Sequence, residues 1–197
     1  MAELINPNDP RAKRTRKFLQ QAFLDLLNQK DFENISVQDI ADRAEMNRTT
    51  FYSHFQDKYE LLDMTLSMIF SEILTKWFPG NKEFDENTLI RNLILALCEW
   101  HTELGERISR KSSLSPYIDG STKNQLYNVI LSCLQQLSDD AQNERRLEII
   151  SIMLSSSICD LVLHWKRSRT SETPEELITH VLPYIIPVLH AINLDVE

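Results

Sequence analysis

The stretch Ile35-Ser-Val-Gln-Asp-Ile-Ala-Asp-Arg-Ala-Glu-Met-Asn-Arg-Thr-Thr-Phe-Tyr-Ser-His-Phe-Gln-Asp-Lys-Tyr-Glu-Leu-Leu62 decides the fold. Ser36 is a good helix N-cap, and Asp39, three residues on, is a short stand-in for the capping-box Glu. Val37, Ile40, Ala41 and Ala44 then recur at helical spacing. Glu45-Met46-Asn47 reads as a turn. Asn47 caps a third helix running to about Phe55, and Asp57, with Glu60 behind it, caps a fourth. In the third helix Phe51 and Phe55 lie four apart and point to the core. Thr49, Tyr52 and Ser53 point largely away, and Arg48 sits in the first turn. Two short helices joined by a three-residue turn have the outline of a helix-turn-helix, whose second helix enters the DNA major groove. Small hydrogen-bonding residues with one Arg suit base edges.

Working outward, Asp9 and Pro10 suit the start of a first helix, carried on by Phe18, Leu19, Ala22, Phe23, Leu26 and Leu27. Residues 1–10 read as a flexible arm. The fourth helix holds Leu61, Leu62, Leu66, Ile69, Phe70, Ile73, Leu74 and Trp77, and stops at Pro79-Gly80. Later helices are expected over about Asp85–Leu104, ending at Gly105; Ser121–Leu137, after an irregular piece containing Pro116 and closing at Gly120; and Asp140–Ser168. A last helix, capped by Thr173, should kink at Pro183 and Pro187.

Composition agrees with an all-α chain. Only 3 glycines occur in 197 residues, too few for Gly-rich phosphate loops or a turn-rich sheet protein. Net charge is −8 but unevenly placed: residues 1–58 carry nine Lys/Arg against nine Asp/Glu, and residues 59–197 twelve against twenty. Arg11, Lys13, Arg14, Arg16 and Lys17 fall within seven residues without an acid, a local site for a polyanion on an otherwise acidic body. Such a run can follow the DNA backbone or enter the minor groove. It also fits a solvated helix face, as the helix pair alone fits a plain bundle.

The three cysteines, Cys98, Cys133 and Cys159, form no C-x-x-C pair and fit a reducing cytosol. Cys98-x-x-His101 is a single ligand pair, better read as a buried thiol beside a core or pocket His, so no metal or other cofactor is expected. No nucleophile–base spacing suggests an enzyme. Leu147 to Trp165 is apolar but carries Glu148, Asp160 and Ser151, Ser155, Ser156 and Ser157. It reads as a buried helix and, with Pro174–Ile192, as the candidate dimer interface, not as a membrane span. Trp100, His101, Tyr117, Tyr127, Met153, His164 and Trp165 are candidates for an effector cavity, although most better suit ordinary core or interface positions.

The stretch from Ile35 to Leu62, and above all Thr49-Thr-Phe-Tyr-Ser-His-Phe-Gln-Asp-Lys58, resembles the DNA-binding domain of the TetR family of bacterial transcriptional regulators. The resemblance is strong over about residues 11–75. It implies an all-α homodimer: a TetR-type helix-turn-helix domain at 11–71 (motif about 34–55) and a C-terminal dimerisation and effector-binding domain at 72–197. By motif position Ser36, Arg48, Thr49, Thr50, Tyr52, His54 and Lys58 become the DNA contacts, joined by Arg14 and Lys17 from the basic run. Glu45 departs from the family, which commonly has Gly at that turn position. A φ above zero there would strain a Glu. The expected function is a cytoplasmic, sequence-specific regulator, a repressor on a near-palindromic operator, answering to a small-molecule effector. The alternative is a protein of the same fold acting as a co-activator or adaptor by binding another protein.

Overall fold

The computed structural model describes residues 9–79, 85–108, 114–137, 144–168 and 171–190. Residues 1–8 of the expected arm, Gly80 as a helix stop, the start at Asp140 and the end at Ile192 lie outside the described residues. The described residues form eight α-helices and no strand: α1 (Pro10–Leu27), α2 (Val37–Arg43), α3 (Arg48–Tyr52), α4 (Lys58–Trp77), α5 (Glu86–Arg107), α6 (Ser115–Leu137), α7 (Glu144–Ser168) and α8 (Pro174–His190), with a single 3-10 turn at Phe32–Asn34. The chain divides into two compact units, Met1–Ile69 with Thr102–Ile118, and Phe70–His101 with Asp119–Glu197.

The first unit is built by its caps. Asp9 accepts from the Arg11 N–H at 2.8 Å, with Pro10 as the first helical residue of α1. Ser36 and Asp39 form a reciprocal capping box at α2: the Asp39 N–H donates to Ser36 Oγ at 3.1 Å and the Ser36 N–H to Asp39 Oδ2 at 2.7 Å. Asn47 caps α3 through the Thr49 N–H at 2.9 Å, and Asp57 caps α4 through the N–H groups of Tyr59 and Glu60. Each cap satisfies donors that a helix leaves without an internal partner. Leu19, Phe23, Leu27, Phe32, Ile35, Ile40, Phe51, Phe55, Leu61 and Leu62 form the core, all essentially buried. Phe23 and Phe32 meet edge to face at 6.1 Å between ring centres. Arg43 ties α2 to α1 through Asp25 at 2.9 Å, and the Asn28 amide donates to the Arg107 carbonyl at 2.9 Å.

In the second unit Trp100 is fully buried, edge-on to Phe70 at 5.3 Å, and its indole N–H donates to Thr122 Oγ1 at 3.0 Å. The core is completed by Leu93, Ile94 and Leu97, by Leu126, Ile130 and Leu134, and by Leu154, Ile158 and Val162 of α7. Leu177, Ile178, Ile185 and Leu189 line the inner side of α8, which starts with a second capping box between Thr173 and Glu176. α7 is long and apolar enough to cross a bilayer, with a mean hydropathy of 1.6 over 18 residues, 44% of that stretch being buried within the protein.

Three expectations need correcting. α3 ends at Tyr52 rather than near Phe55: Ser53 is its C-cap and the Ser53 hydroxyl donates back to the Thr50 carbonyl at 2.7 Å. α5 passes Gly105 and ends at Arg107, where the Arg107–Glu103 pair at 3.0 Å and buried Leu104 and Ile108 offset the roughly 1 kcal/mol helix penalty of a glycine. α6 begins at Ser115, not after Gly120, because Pro116 falls in the first turn, where its missing N–H has no helical partner to lose. A Cβ at Gly120 would meet nothing within 4 Å, so that glycine marks an exposed helix surface rather than a stop. Pro183 and Pro187 both fall inside α8, where the kink was expected.

Candidate nucleic-acid interface

α2 and α3 meet through a turn whose hydrogen bonds define it. The Glu45 N–H donates to the Asp42 carbonyl at 3.1 Å and the Met46 N–H to the Ala41 carbonyl at 2.9 Å. That double closure is a Schellman motif, which requires a left-handed residue one place beyond the cap. Glu45 takes that place with φ 56°, the one non-glycine with positive φ among the described residues.

α3 presents two unlike sides. Phe51 and Phe55 are 0% and 2% exposed, their rings 5.6 Å apart, and they anchor the helix inward. Burying each phenyl contributes about 2–3 kcal/mol. Arg48, Thr49, Tyr52 and Ser53 stay exposed, and Thr50 is half-buried. The Arg48 guanidinium donates to the Tyr52 hydroxyl at 2.9 Å and lies 5.3 Å from the ring centre, so two contacts hold it along the outer side of the helix.

Around this helix lie further donors. Arg11, Lys13, Arg14 and Lys17 are exposed along the first two turns of α1, with Phe18, 55% exposed, beside them. Ser36 stands exposed at the start of α2. His54 is half-buried, its Nδ1 enclosed without a hydrogen-bond partner among the described residues; burial, helped by the charge of Arg16, lowers its pKa and keeps the ring neutral at neutral pH. Lys58 is engaged inside the unit: its ammonium donates to the carbonyls of Phe32, Glu33 and Ile35 at 2.9, 3.2 and 3.0 Å.

Residues 21–64 match the family described as bacterial regulatory proteins, tetR family. Over 67 residues, 34% of this chain and 18% of the relative, the sequence is 42% identical to the uncharacterized HTH-type transcriptional regulator YxbF of Bacillus subtilis (strain 168). The N-terminal domain belongs to the TetR family. Over 60 residues, 30% of this chain and 32% of the relative, it is 38% identical to the HTH-type dhaKLM operon transcriptional activator DhaS of Lactococcus lactis subsp. lactis (strain IL1403). The matched parts thus span less than a third of either relative. A TetR transcriptional regulator from Streptococcus agalactiae 2603V shares the fold over 90% of this chain and 96% of its own, with a TM-score of 0.55 and 22% identity. The family match thus rests on residues 21–64, and the likeness to the Streptococcus agalactiae protein shows a shared fold.

Outside the TetR-family domain the candidate effector residues are scattered. Trp100 is buried and bonded to Thr122. Met153 is 50% exposed. Tyr127 is half-buried, His164 is exposed, and the Trp165 indole donates to the Glu172 carbonyl at 3.1 Å. Tyr117 belongs to the first unit, its ring 6.2 Å from that of Tyr59, and burial together with Asp63 raises its pKa. Of the group only His101 lines a described pocket, a small recess in the second unit shared with Asp119, Thr122, Lys123, Cys159, Asp160 and Leu163. Burial pushes the Cys159 thiol up to about 12, so it is a neutral lining group at neutral pH. Among the described residues no three His, Cys, Asp or Glu side chains cluster as metal ligands. Sequence reasoning missed Asp119, Lys123 and Asp160; the only signal was their charge at helical spacing, which a solvated face shares.

Proposed function

We propose that the protein is a sequence-specific DNA-binding regulator that acts as a cytoplasmic homodimer on a near-palindromic operator. The observation that carries this reading is the division of α3 and the turn after it into a buried side of Phe51 and Phe55 and an exposed side of Arg48, Thr49, Tyr52 and Ser53. Arg48 is the candidate for bidentate bonding to guanine. Thr49 and Thr50 suit hydroxyl and methyl contacts, and Ser36, Tyr52 and His54, with Arg14 and Lys17, suit phosphates. Lys58 acts at one remove, by fixing the backbone of residues 32–35 beneath the motif.

A dimer is supported by the apolar surface left on α7 and α8. Ile149, Ile152, Met153 and Tyr184 are 43%, 53%, 50% and 80% exposed. Large exposed apolar side chains on adjacent elements mark an association surface. Two recognition helices about 34 Å apart would read two half-sites one turn of DNA apart. An effector held in the second unit would alter that spacing, with a coupling of about 1–3 kcal/mol. Repression follows where the operator overlaps a promoter.

Selection from random duplex DNA with the purified protein tests this directly. Enrichment of one near-palindromic sequence, and a promoter carrying it that is silenced in a reporter strain, is the expected result. Retention of DNA without enrichment of any sequence contradicts it.

A further inference from the structure

The α2–α3 turn carries a side chain that its own geometry disfavours. Glu45 at φ 56° occupies the left-handed region, where an L side chain crowds the following carbonyl and glycine does not. A non-glycine persists there when something other than local stability keeps it. No contact among the described residues supplies the reason: the Glu45 carboxylate is exposed and has no hydrogen bond or ion pair among them. The neighbouring acids differ. Asp39 is held by Ser36 and Lys30, and Asp42 accepts from Gln38 at 2.7 Å. Glu45 is thus the one carboxylate of the motif with neither a hydrogen bond nor an ion pair among the described residues, three residues before Arg48.

We propose that Glu45 limits the affinity of the helix-turn-helix for DNA, the turn holding its carboxylate outward beside the recognition helix, where it opposes the phosphate charge that Arg48 and the first turns of α1 attract. This rests on the DNA-binding reading above. A free carboxylate within a Debye length of the phosphate backbone, about 10 Å at 0.1 M salt, repels it, and a dimer carries two. The repulsion lets a small change elsewhere, such as effector binding, release the DNA.

The test uses the full-length protein and a duplex selected by the wild type from random DNA. Glu45→Gln removes the charge and keeps the strained backbone; Glu45→Gly removes both. Glu45→Gln should bind the duplex about 2- to 10-fold more tightly at low salt, a gain that vanishes toward 1 M. Glu45→Gly should match that gain and also raise Tm by about 2–4 °C. Unchanged or weaker binding by Glu45→Gln at low salt overturns the proposal, the weaker case meaning that the carboxylate accepts from a base. A wild type that selects no duplex overturns the DNA-binding reading as well, whereas a selected duplex with unaltered Glu45→Gln affinity overturns only the role of Glu45.

Discussion

Lys58 Nζ lies 2.9 Å from the carbonyl oxygen of Phe32 and 4.5 Å from the centre of the same residue's ring, so one side chain grips another by backbone and face together. With the bonds to Glu33 and Ile35, all three ammonium protons point at the 3-10 turn that leads into α2. Lys58→Ala would leave those carbonyls without their charged donor and destabilise the domain by about 1–2 kcal/mol. Its affinity for selected and scrambled duplexes should fall by similar factors, with a lower denaturation midpoint. Lys58→Arg should not restore either, since a planar fork does not converge on three carbonyls as an ammonium does. Calorimetry and binding on the same preparations check both statements.

Arg48 and Tyr52 form a second coupled pair, one turn apart on α3. Arg48→Ala should cost about 1–3 kcal/mol of discrimination between the selected duplex and one altered at a single guanine, with little change in stability. Tyr52→Phe keeps the ring under the guanidinium but removes the oxygen that orients it, so its loss should be smaller. A double variant no worse than Arg48→Ala alone would show that Tyr52 acts through Arg48, as competition binding can measure.

Asp39 ties acid stability to the motif. Hydrogen bonds from the Ser36 hydroxyl and backbone, then from Lys30, lower its pKa to about 2 from 3.8. A carboxyl depressed on folding stabilises the fold above its unfolded value, and that contribution is lost as pH falls from about 3.8 through about 2. The Asp39 side chain is 37% exposed, so solvent screening keeps the ionic part small. Asp39→Asn should therefore be less stable than the wild type at pH 7, by about 0.5–1 kcal/mol for the weakened cap. The difference should narrow as the pH is lowered through that window in urea titrations.

Ser151 is fully buried on α7, and its hydroxyl has no partner among the described residues. An enclosed hydroxyl without a partner has lost its hydration for no return. Ser151→Ala should raise stability by about 1 kcal/mol, visible as a higher Tm with DNA binding unchanged.

These residues differ in how far the sequence alone revealed them. Ser36, Asp39, Asn47 and Asp57 announce helix starts because a cap and its target lie within three residues, inside the reach of local pattern. Phe51 and Phe55 are legible for the same reason, being one turn apart. Glu45 was legible as strained only through the resemblance to a family that commonly has glycine at that turn position, and its φ of 56° agrees. Lys58 was legible only as a charge near DNA, since its partners lie 23 to 26 residues away and are backbone atoms without a sequence signature. Gly120 misled because a glycine within a helix and one at its end look alike until Pro116 is known to start that helix. The aromatic residues grouped as effector contacts share a composition but not a place: Trp100, Tyr117 and Met153 are respectively core, first-unit and surface.

The exposed side of α3 is tested most directly by one ratio: the affinity of the wild-type protein for its selected duplex over that for a scrambled duplex of equal length and composition, at physiological salt. A ratio of about 10³ or more is expected of specific readout. A ratio near one, with both affinities collapsing together as salt rises, would mean that only phosphates are felt and that Arg48, Thr49 and Thr50 read no sequence.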